Sequence, residues 1–167
     1  MIFIILGSQK FQFNRLLQEV DRLISADKIA GSLVFAQTGF SDYKPRSFDF
    51  KPFLNTEEFD GKIAESKIVI THGGTGSIIS GLKKHKKLIV VPRSTHYGEH
   101  VDNHQFEIAH QFEQAALLCA IADVAELENA LKVVEEAEFK RYVSNTPAFI
   151  KTIEAYIEKL EHRDPIK

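Results

Sequence analysis

The segment from residue 71 to residue 77 combines glycines, hydroxyl side chains and a histidine in the order Thr-His-Gly-Gly-Thr-Gly-Ser. It follows a short apolar run and precedes an amphipathic segment, which predicts a strand-to-helix turn with free backbone N–H groups. Glycines let the backbone approach a phosphate closely, and the start of a helix favours negative charge. The candidate anion-binding residues are therefore His72, Gly73, Gly74, Thr75, Gly76 and Ser77.

This turn differs from the common nucleotide-binding fingerprints. It lacks the third glycine of the dinucleotide-binding motif at the required offset, and no Gly-Lys-Ser/Thr follows as in a P-loop. A tight turn that only packs a helix on a sheet explains one or two glycines, but less easily His72, Thr75 and Ser77 together. The pattern therefore favours a phosphate site outside the dehydrogenase and P-loop ATPase classes.

Two further polar segments follow predicted strands. Gly7, Ser8 and Gln9 come directly after the first apolar run and offer a second turn that could hold a pyrophosphate. Residues 94–105 are dense in side chains that hydrogen-bond hydroxyl groups, as sugar recognition requires. Asp102 and Asn103 are also good N-caps for the helix that begins there, so capping is an alternative for one of them.

Histidines are concentrated near the third segment. His96, His100 and His104 recur every four residues, and His110 follows. On one continuous helix the first three would share a face and could bind a metal ion. Because Gly98 is expected to break the helix and no cysteine joins the group, the sequence predicts no metal site.

Alternating strands and helices must position these segments. Short apolar runs predict strands near residues 1–6, 33–36, 48–50, 67–71, 88–92 and 117–119. Apolar residues at spacings of three and four predict helices near residues 13–24, 57–65, 77–84, 102–112, 124–134 and 149–160. This alternation predicts an α/β fold with a Rossmann-like, doubly wound parallel sheet. In such sheets, ligands bind beyond the carboxyl ends of the strands.

The composition describes one domain. The chain has 167 residues, a formal net charge of -2 and 44% hydrophobic residues, which suffices for one core without disulfides. The near-neutral charge argues against a nucleic-acid partner. Residues 1–160 are expected to form a single domain and residues 161–167 a frayed tail. Cys119 is expected to be a buried thiol, and the lack of signal-peptide features predicts a cytoplasmic location.

Two surface features leave alternatives open. The basic run from Lys83 to Lys87 is either the solvated end of a helix or a contact for anionic lipid headgroups. An apolar stripe near the C-terminus either packs on the protein's own sheet or docks on another chain. Its members are Phe149, Ile153, Tyr156, Ile157 and Leu160.

Several motifs, in order along the chain, resemble the C-terminal, donor-binding domain of family 28 glycosyltransferases. These are residues 7–9, Gln37-Thr38-Gly39, residues 72–77 and residues 98–105. That domain is one of the two facing Rossmann-like halves of the GT-B architecture. The chain is most similar to split members, in which this half is a separate subunit. They include the soluble subunit of the eukaryotic dolichol-linked UDP-GlcNAc transferase and bacterial capsule or exopolysaccharide subunits.

The resemblance implies that a UDP-sugar binds across these segments. The two turns would contact its diphosphate, residues 53 and 54 its uracil, and residues 102–105 the hydroxyl groups of its sugar. Ser80 stands where many family members have a ribose-binding Glu, so ribose recognition is expected to differ. The implied donor-binding residues are Gly7, Ser8, Gln9, Gln37, Phe53, Leu54, His72, Gly73, Gly74, Thr75, Gly76, Ser77, Asp102, Asn103, His104 and Gln105.

The resemblance also implies a reaction and a partner. A hexose, galactose or GlcNAc, would pass with inversion from the UDP-sugar to a lipid-linked saccharide in surface polysaccharide synthesis, without a cofactor or metal. Glu99 and His100 are the candidate general bases. A membrane-anchored, acceptor-binding subunit would hold the chain at the inner face of the membrane. A non-catalytic, nucleotide-sugar-binding regulatory subunit is the alternative, because Ser80 replaces Glu and no base stands out.

Overall fold

A computed structural model describes residues 1–161, apart from the side chains of residues 160 and 161. The strands are β1 (Ile2–Ile5), β2 (Val34–Gln37), β3 (Asp49–Lys51), β4 (Ile68–Thr71), β5 (Lys87–Val90) and β6 (Cys119–Ala120). The α-helices are α1 (Asn14–Ser25), α2 (Thr56–Glu65), α3 (Thr75–Lys83), α4 (His104–Gln114), α5 (Leu127–Glu136) and α6 (Thr146–Glu161). Of the tail predicted for residues 161–167, residues 162–167 lie outside the described residues.

The strands form one parallel sheet in the order β3-β2-β1-β4-β5-β6. After β1, strands β2 and β3 are added on one side of it, and β3 forms one edge of the sheet. The chain then crosses over, so that β4, β5 and β6 are added on the other side of β1. Strand order therefore reverses between β1 and β4, where open α/β sheets bind ligands. In the register, Ile5 lies beside Gln37 on one side and Thr71 on the other. The predicted Rossmann-like, doubly wound sheet is confirmed.

Different helices cover the two faces of this sheet. Successive β1 side chains point to opposite faces, so Ile4 and Leu6 pack with α1 and α5, whereas Phe3 and Ile5 pack with α2, α3 and α4. These four side chains are almost completely buried. Burial on both faces explains why this strand reads as a continuous apolar run instead of an alternating one.

Asp21 on α1 anchors the long connection between β2 and β3. Its carboxylate accepts hydrogen bonds from the Tyr43 hydroxyl at 2.7 Å and from the backbone N–H groups of Arg46 and Ser47, both at 2.9 Å. Burial opposes ionisation of Asp21, but these hydrogen bonds outweigh it and hold the pKa of the carboxyl below its usual range. The anchor fixes the path of residues 43–47 within this connection.

Three local predictions are refined by the structure. The helix expected from residue 102 begins at His104, and residues 124–126 form a 3₁₀ turn before α5. Cys119 lies on the edge strand β6 and is half-buried, not fully buried as predicted. Its burial raises the pKa of the thiol, and the nearby carboxylates of Glu113 and Glu126 raise it further.

Helix α6 exposes the apolar stripe that the sequence places near the C-terminus. Phe149 and Tyr156 are 62% and 63% exposed, and Ile153 and Ile157 are also exposed. The side chain of Leu160 lies outside the described residues. The four described side chains of the stripe therefore do not pack on the protein's own sheet, and docking on another chain stays a prediction.

The basic run lies at the opposite end of the sheet from the predicted site, because Lys87 begins β5. Lys84 pairs with Asp60 at 2.6 Å, and the Lys86 ammonium donates to the carbonyls of residues 64 and 66. The Lys87 ammonium donates to a carbonyl of α5. These contacts favour the structural interpretation of the run. No helix within residues 1–161 is both long and apolar enough to cross a membrane.

Candidate functional site

The first turn of the site follows β1 directly. Gly7 adopts φ +74°, a left-handed conformation that bulkier residues rarely adopt, and Ser8 and Gln9 are exposed beyond it. The Gln37 side chain, from the neighbouring strand β2, donates to the Gly7 carbonyl at 3.4 Å. The structure therefore brings together the predicted residues of the first and second strand ends.

The second turn leads from β4 into α3. Helix α3 begins at Thr75, Gly74 is its N-cap, and no side chain among the described residues caps it. Thr75 and Gly76 are exposed there. The first amide groups of an α-helix lack intrahelical partners, so they remain available to an anion beyond the end of β4. The backbone geometry is the one that the glycines predict, and anion binding there stays a prediction.

His72 forms the floor between the two turns. A Cβ atom added at Gly7 would lie 2.7 Å from the His72 ring, and one added at Gly74 would lie 2.4 Å from it. Both positions therefore require glycine for a packing reason. His72 Nδ1 lies 3.2 Å from the Ile5 carbonyl, which can only accept, so Nδ1 carries the proton. Burial and the nearby Arg93 charge lower the pKa of His72 to about 4, which keeps the ring neutral at pH 7.

The third segment lies beyond β5 and meets the first turn. A 3₁₀ turn, Thr95–Tyr97, ends at Gly98 in a left-handed conformation, and α4 starts six residues later. His100 Nε2 lies 3.2 Å from the Gln9 side-chain oxygen. The Gln105 side-chain oxygen accepts from the backbone N–H of Arg93 at 3.1 Å. Segments that are distant in sequence thus converge where strand order reverses.

Asp102, Asn103 and His104 make local contacts at the start of α4. The Asp102 carboxylate accepts from the backbone N–H of His104 at 3.1 Å in an Asx turn that precedes the N-cap Asn103, and it also contacts the His104 ring. Asn103 accepts from the backbone and hydroxyl of Thr95 instead of capping α4. All three side chains are exposed. The predicted side-chain cap of α4 is therefore not formed by Asp102 or Asn103.

Glu99 occupies a structural position. It is fully buried, its Oε1 accepts from Arg15 Nε at 2.8 Å, and its Oε2 accepts from the backbone N–H of Ser94 at 3.0 Å. Arg15 also donates to the Pro92 carbonyl at 2.9 Å. An acceptor hydroxyl could not reach this carboxylate without breaking the ion pair. The geometry therefore makes Glu99 a support of the segment after β5, in contrast to its predicted catalytic role.

Replacing Glu99 with glutamine should lower the free energy of unfolding by about 3 to 5 kcal/mol, because breaking a buried ion pair leaves an uncompensated charge. Urea denaturation at pH 7 measures this change. Glu65→Gln is the control, since Glu65 pairs with Lys62 on the exposed surface, and it should leave stability nearly unchanged. Loss of activity in Glu99→Gln with wild-type stability would contradict the structural role.

The predicted divergence of His96, His100 and His104 is wrong for the last two, whose ring centroids lie 4.9 Å apart. His96 lies on the 3₁₀ turn and His110 on α4, both exposed. His100, Asp102 and His104 do converge, with possible ligand atoms within 4.8 Å of one another. Hydrogen bonds among these three residues account for that proximity.

An aromatic pair lies beyond β2 and β3, at one side of the site. Phe53, predicted to lie at the uracil, is 46% exposed and packs edge-on against Phe40 at 5.2 Å between ring centroids. Leu54 is partly buried against the core on the side of α2. Sequence reasoning missed Phe40, although its position directly after Gly39 in the motif that follows β2 was a usable signal.

Ser80 does not replace a ribose-binding carboxylate in the present geometry. Its hydroxyl donates to the Gly76 carbonyl at 2.8 Å, within its own helix. A serine that bonds back to the preceding turn is a common local arrangement. Ser80 therefore does not supply the ribose contact that many family members make with a Glu at this position.

Comparison with known proteins agrees with the fold. The glycotransferase of kitacinnamycin superposes with a TM-score of 0.59 at 16% sequence identity, over 81% of this chain and 35% of that one. At this identity the likeness shows the fold alone. The fold is one Rossmann-like half of the GT-B architecture, as the resemblance implies.

Sequence relatives point the same way. A UDP-N-acetylglucosamine transferase subunit ALG13 from Kluyveromyces lactis is 45% identical over 80 residues, which are 47% of this chain and 38% of that protein. The subunit of the same name from Eremothecium gossypii is 46% identical over 65 residues, which are 38% of this chain and 30% of that protein. The chain thus matches well under half the length of these relatives. The family model of the glycosyltransferase family 28 C-terminal domain matches residues 1–160. This chain therefore belongs to the glycosyltransferase family 28 C-terminal domain family.

Proposed function

We propose that this chain is the donor-binding, catalytic subunit of a two-component inverting glycosyltransferase, which transfers a hexose from a UDP-sugar to a lipid-linked saccharide. The observation that carries the proposal is the convergence of three segments, residues 7–9, 72–77 and 98–105, where strand order reverses. Two of them are glycine turns suited to a diphosphate. The third carries an exposed carboxylate, amide and imidazole at residues 102–104, and its His100 ring meets Gln9 of the first turn.

The turns supply the electrostatic part of the reaction. As the bond from the sugar to UDP breaks, negative charge grows on the leaving diphosphate. Amide groups at the start of α3 and in the turn after β1 are fixed by the fold before the reaction starts. Preorganised donors of this kind stabilise such charge without reorganising during the reaction, and no metal is required for that role. We therefore propose a metal-independent transfer.

Of the two candidate general bases, Glu99 and His100, we propose His100. Its Nε2 faces a side-chain oxygen of Gln9 that accepts, so Nε2 carries the proton of the neutral ring and Nδ1 its lone pair. That lone pair accepts a hydrogen bond of 3.4 Å from the Asp102 backbone N–H, which an acceptor hydroxyl would have to replace. Asp102 Oδ1 lies 3.2 Å from Nδ1. After Nδ1 takes the acceptor proton, this carboxylate would pair with the imidazolium. The sugar hydroxyl groups would bind Asp102, Asn103, His104 and Gln105.

The donor sugar is proposed from the names of the relatives. Those proteins are UDP-N-acetylglucosamine transferase subunits, so UDP-GlcNAc is the first donor to test and UDP-galactose the second. Neither name mentions surface polysaccharide, and that setting stays a prediction from the resemblance.

The partner is proposed to be a membrane-anchored subunit that carries the facing domain and binds the acceptor. A GT-B active site lies between two Rossmann-like halves, and the described residues contain one of them. The relatives are named as subunits. The exposed apolar stripe of α6 offers a surface for such a partner. Through it, the chain would act from the cytoplasm at the inner face of the membrane.

Reconstitution tests this function. The chain is co-purified with the candidate partner, then given a radiolabelled UDP-sugar and a lipid-linked acceptor, with and without EDTA. We expect transfer that EDTA leaves unchanged, and loss of at least about 100-fold in kcat/KM for His100→Gln, because general-base catalysis contributes about 10²- to 10⁴-fold. Glu107→Gln, on the exposed surface of α4, is the control. A chain that binds no UDP would overturn the proposal.

A non-catalytic subunit that binds a nucleotide-sugar is the second candidate. It is favoured by Ser80, whose hydroxyl is engaged within α3, and by the nearly complete burial of His100. The same reconstitution separates the two. Binding of UDP together with full transfer by His100→Gln would place the chemistry entirely on the partner.

A further inference from the structure

Arg93 is a buried cation beneath the site that the proposed reaction does not yet use. It follows β5 and is fully buried. Its Nη2 donates to the Leu6 carbonyl at 2.5 Å and to the Phe11 carbonyl at 3.2 Å. These carbonyls flank the turn of residues 7–10. The guanidinium therefore lies against the base of the turn that follows β1.

Arg93 also adjoins the other two segments of the site. Its backbone N–H donates to Gln105, and a Cβ atom added at Gly73 would lie 3.1 Å from the Gln105 Cβ. Its charge acts on His72, whose ring lies between Gly7 and Gly74. Arg93 therefore contacts the turn after β1 through its side chain and the start of α4 through its backbone N–H, and its charge acts on the ring between the two glycine turns.

The charge of Arg93 is not balanced within the described residues. Glu99 is the carboxylate that acts on it, but this carboxylate is hydrogen-bonded to Arg15 at 2.8 Å. Glu99 is therefore engaged by Arg15, and within residues 1–161 Arg93 forms no ion pair with a carboxylate. Burial lowers the pKa of Arg93 to about 10 and Glu99 opposes that change, so Arg93 is protonated at pH 7. Within residues 1–161, no hydrogen-bond partner reaches its Nε or Nη1.

We propose that Arg93 is a positioning residue for the diphosphate of the ligand, which holds the turn after β1 from below and supplies the buried positive charge that the diphosphate balances. An uncompensated buried charge is costly. A ligand with two or three negative charges at the adjacent turns would remove that cost, whereas an uncharged nucleoside would not. The inference rests on the proposed UDP-sugar site and deepens it, because it assigns the phosphate selectivity to one residue.

Calorimetric titration with three probes, UDP, uridine and inorganic pyrophosphate, tests the inference. Arg93→Gln keeps a donor for the Leu6 carbonyl but removes the charge, whereas Arg93→Lys keeps the charge. Losing a buried charge contact typically weakens binding about 30-fold or more. We expect that loss for UDP and pyrophosphate in Arg93→Gln, a smaller loss in Arg93→Lys, and little change for uridine. Arg22→Gln, exposed on α1, is the matched control.

The outcomes separate this inference from the proposed function. Equal loss of UDP and uridine binding in both variants would mean that Arg93 only maintains the fold, and would overturn the inference. Wild-type affinity for UDP in Arg93→Gln would also overturn it while leaving the proposed function intact. Binding of pyrophosphate but not UDP by the wild-type chain would overturn the proposed donor but support the charge role. Binding of none of the three would overturn both.

A measurement on the wild-type chain covers the case in which the variants do not fold. The Nε–H resonance of Arg93, assigned through its side-chain carbons, should shift when UDP or pyrophosphate is added and stay in place with uridine. An unchanged resonance at saturating UDP would overturn the inference.

Discussion

Replacing Gly76 with valine should weaken UDP binding by at least about 100-fold, or roughly 2.7 kcal/mol, while the domain stays folded. No heavy atom lies within 4 Å of a Cβ atom added at Gly76, so the protein itself tolerates the side chain. Gly76 is the second residue of α3 and is exposed. The valine would therefore occupy the space that a phosphate needs in order to reach the first amide groups of the helix.

The matched control for this prediction is Gly61→Val. Gly61 lies in α2 and also has no heavy atom within 4 Å of an added Cβ. Valine and glycine differ by only about 0.4 kcal/mol in helix propensity, so both variants should unfold near the wild-type temperature. Calorimetric titration with UDP then compares them. A Gly76→Val protein that binds UDP with wild-type affinity would show that no phosphate lies at this helix start.

Acidification from pH 6.5 to pH 4 should destabilise the protein through His72 by about 3 kcal/mol, the free-energy equivalent of the pKa difference. The pKa of His72 is about 4 in the folded protein, because burial and Arg93 disfavour the charged ring, and about 6.5 in the unfolded chain. Between these values the unfolded chain binds the additional proton. Stability from this residue is therefore complete above pH 6.5 and is lost as the pH falls toward 4.

Urea denaturation at several pH values, compared between variants, isolates this contribution from that of the carboxylates. His72→Gln retains a donor for the Ile5 carbonyl and should flatten the curve between pH 6.5 and 4. His110→Gln, exposed on α4, should leave it unchanged. An NMR titration measures the pKa of His72 directly in the wild-type chain. A His72 ring that protonates near pH 6.5 would refute the buried, neutral floor of the site.

The elements that carry the strongest periodicity could be predicted closely. The continuous apolar runs of β1, β4 and β5 and the apolar spacing of α1 depend on local sequence, because burial on two faces or on one stripe selects those residues. Helix starts were less accurate. The carboxylate of Asp102 and the side chain of Asn103 bond nearby groups, so α4 begins at His104 instead of residue 102.

The position of the candidate site could be predicted from the glycine turns, because glycines mark places where the backbone needs a conformation or a close contact that other residues do not allow. Gly7 and Gly74 are required by the His72 ring between them, and the sequence showed the glycines without showing that contact. The ion pair of Glu99 could not be predicted, since its partner Arg15 lies 84 residues away in the sequence. Arg93 was missed for the same reason.

The sequence by itself determined the class of fold, the strand ends that carry polar residues, and the family to which the chain belongs. These properties follow from local sequence patterns, because strands, helices and turns depend mainly on residues that are close together in the chain. Only the tertiary structure decided that Glu99 is structural, that a buried guanidinium lies beneath the turn after β1, and that the α6 stripe faces outward. Those outcomes depend on burial and on charges brought together from distant segments, and no local pattern encodes them.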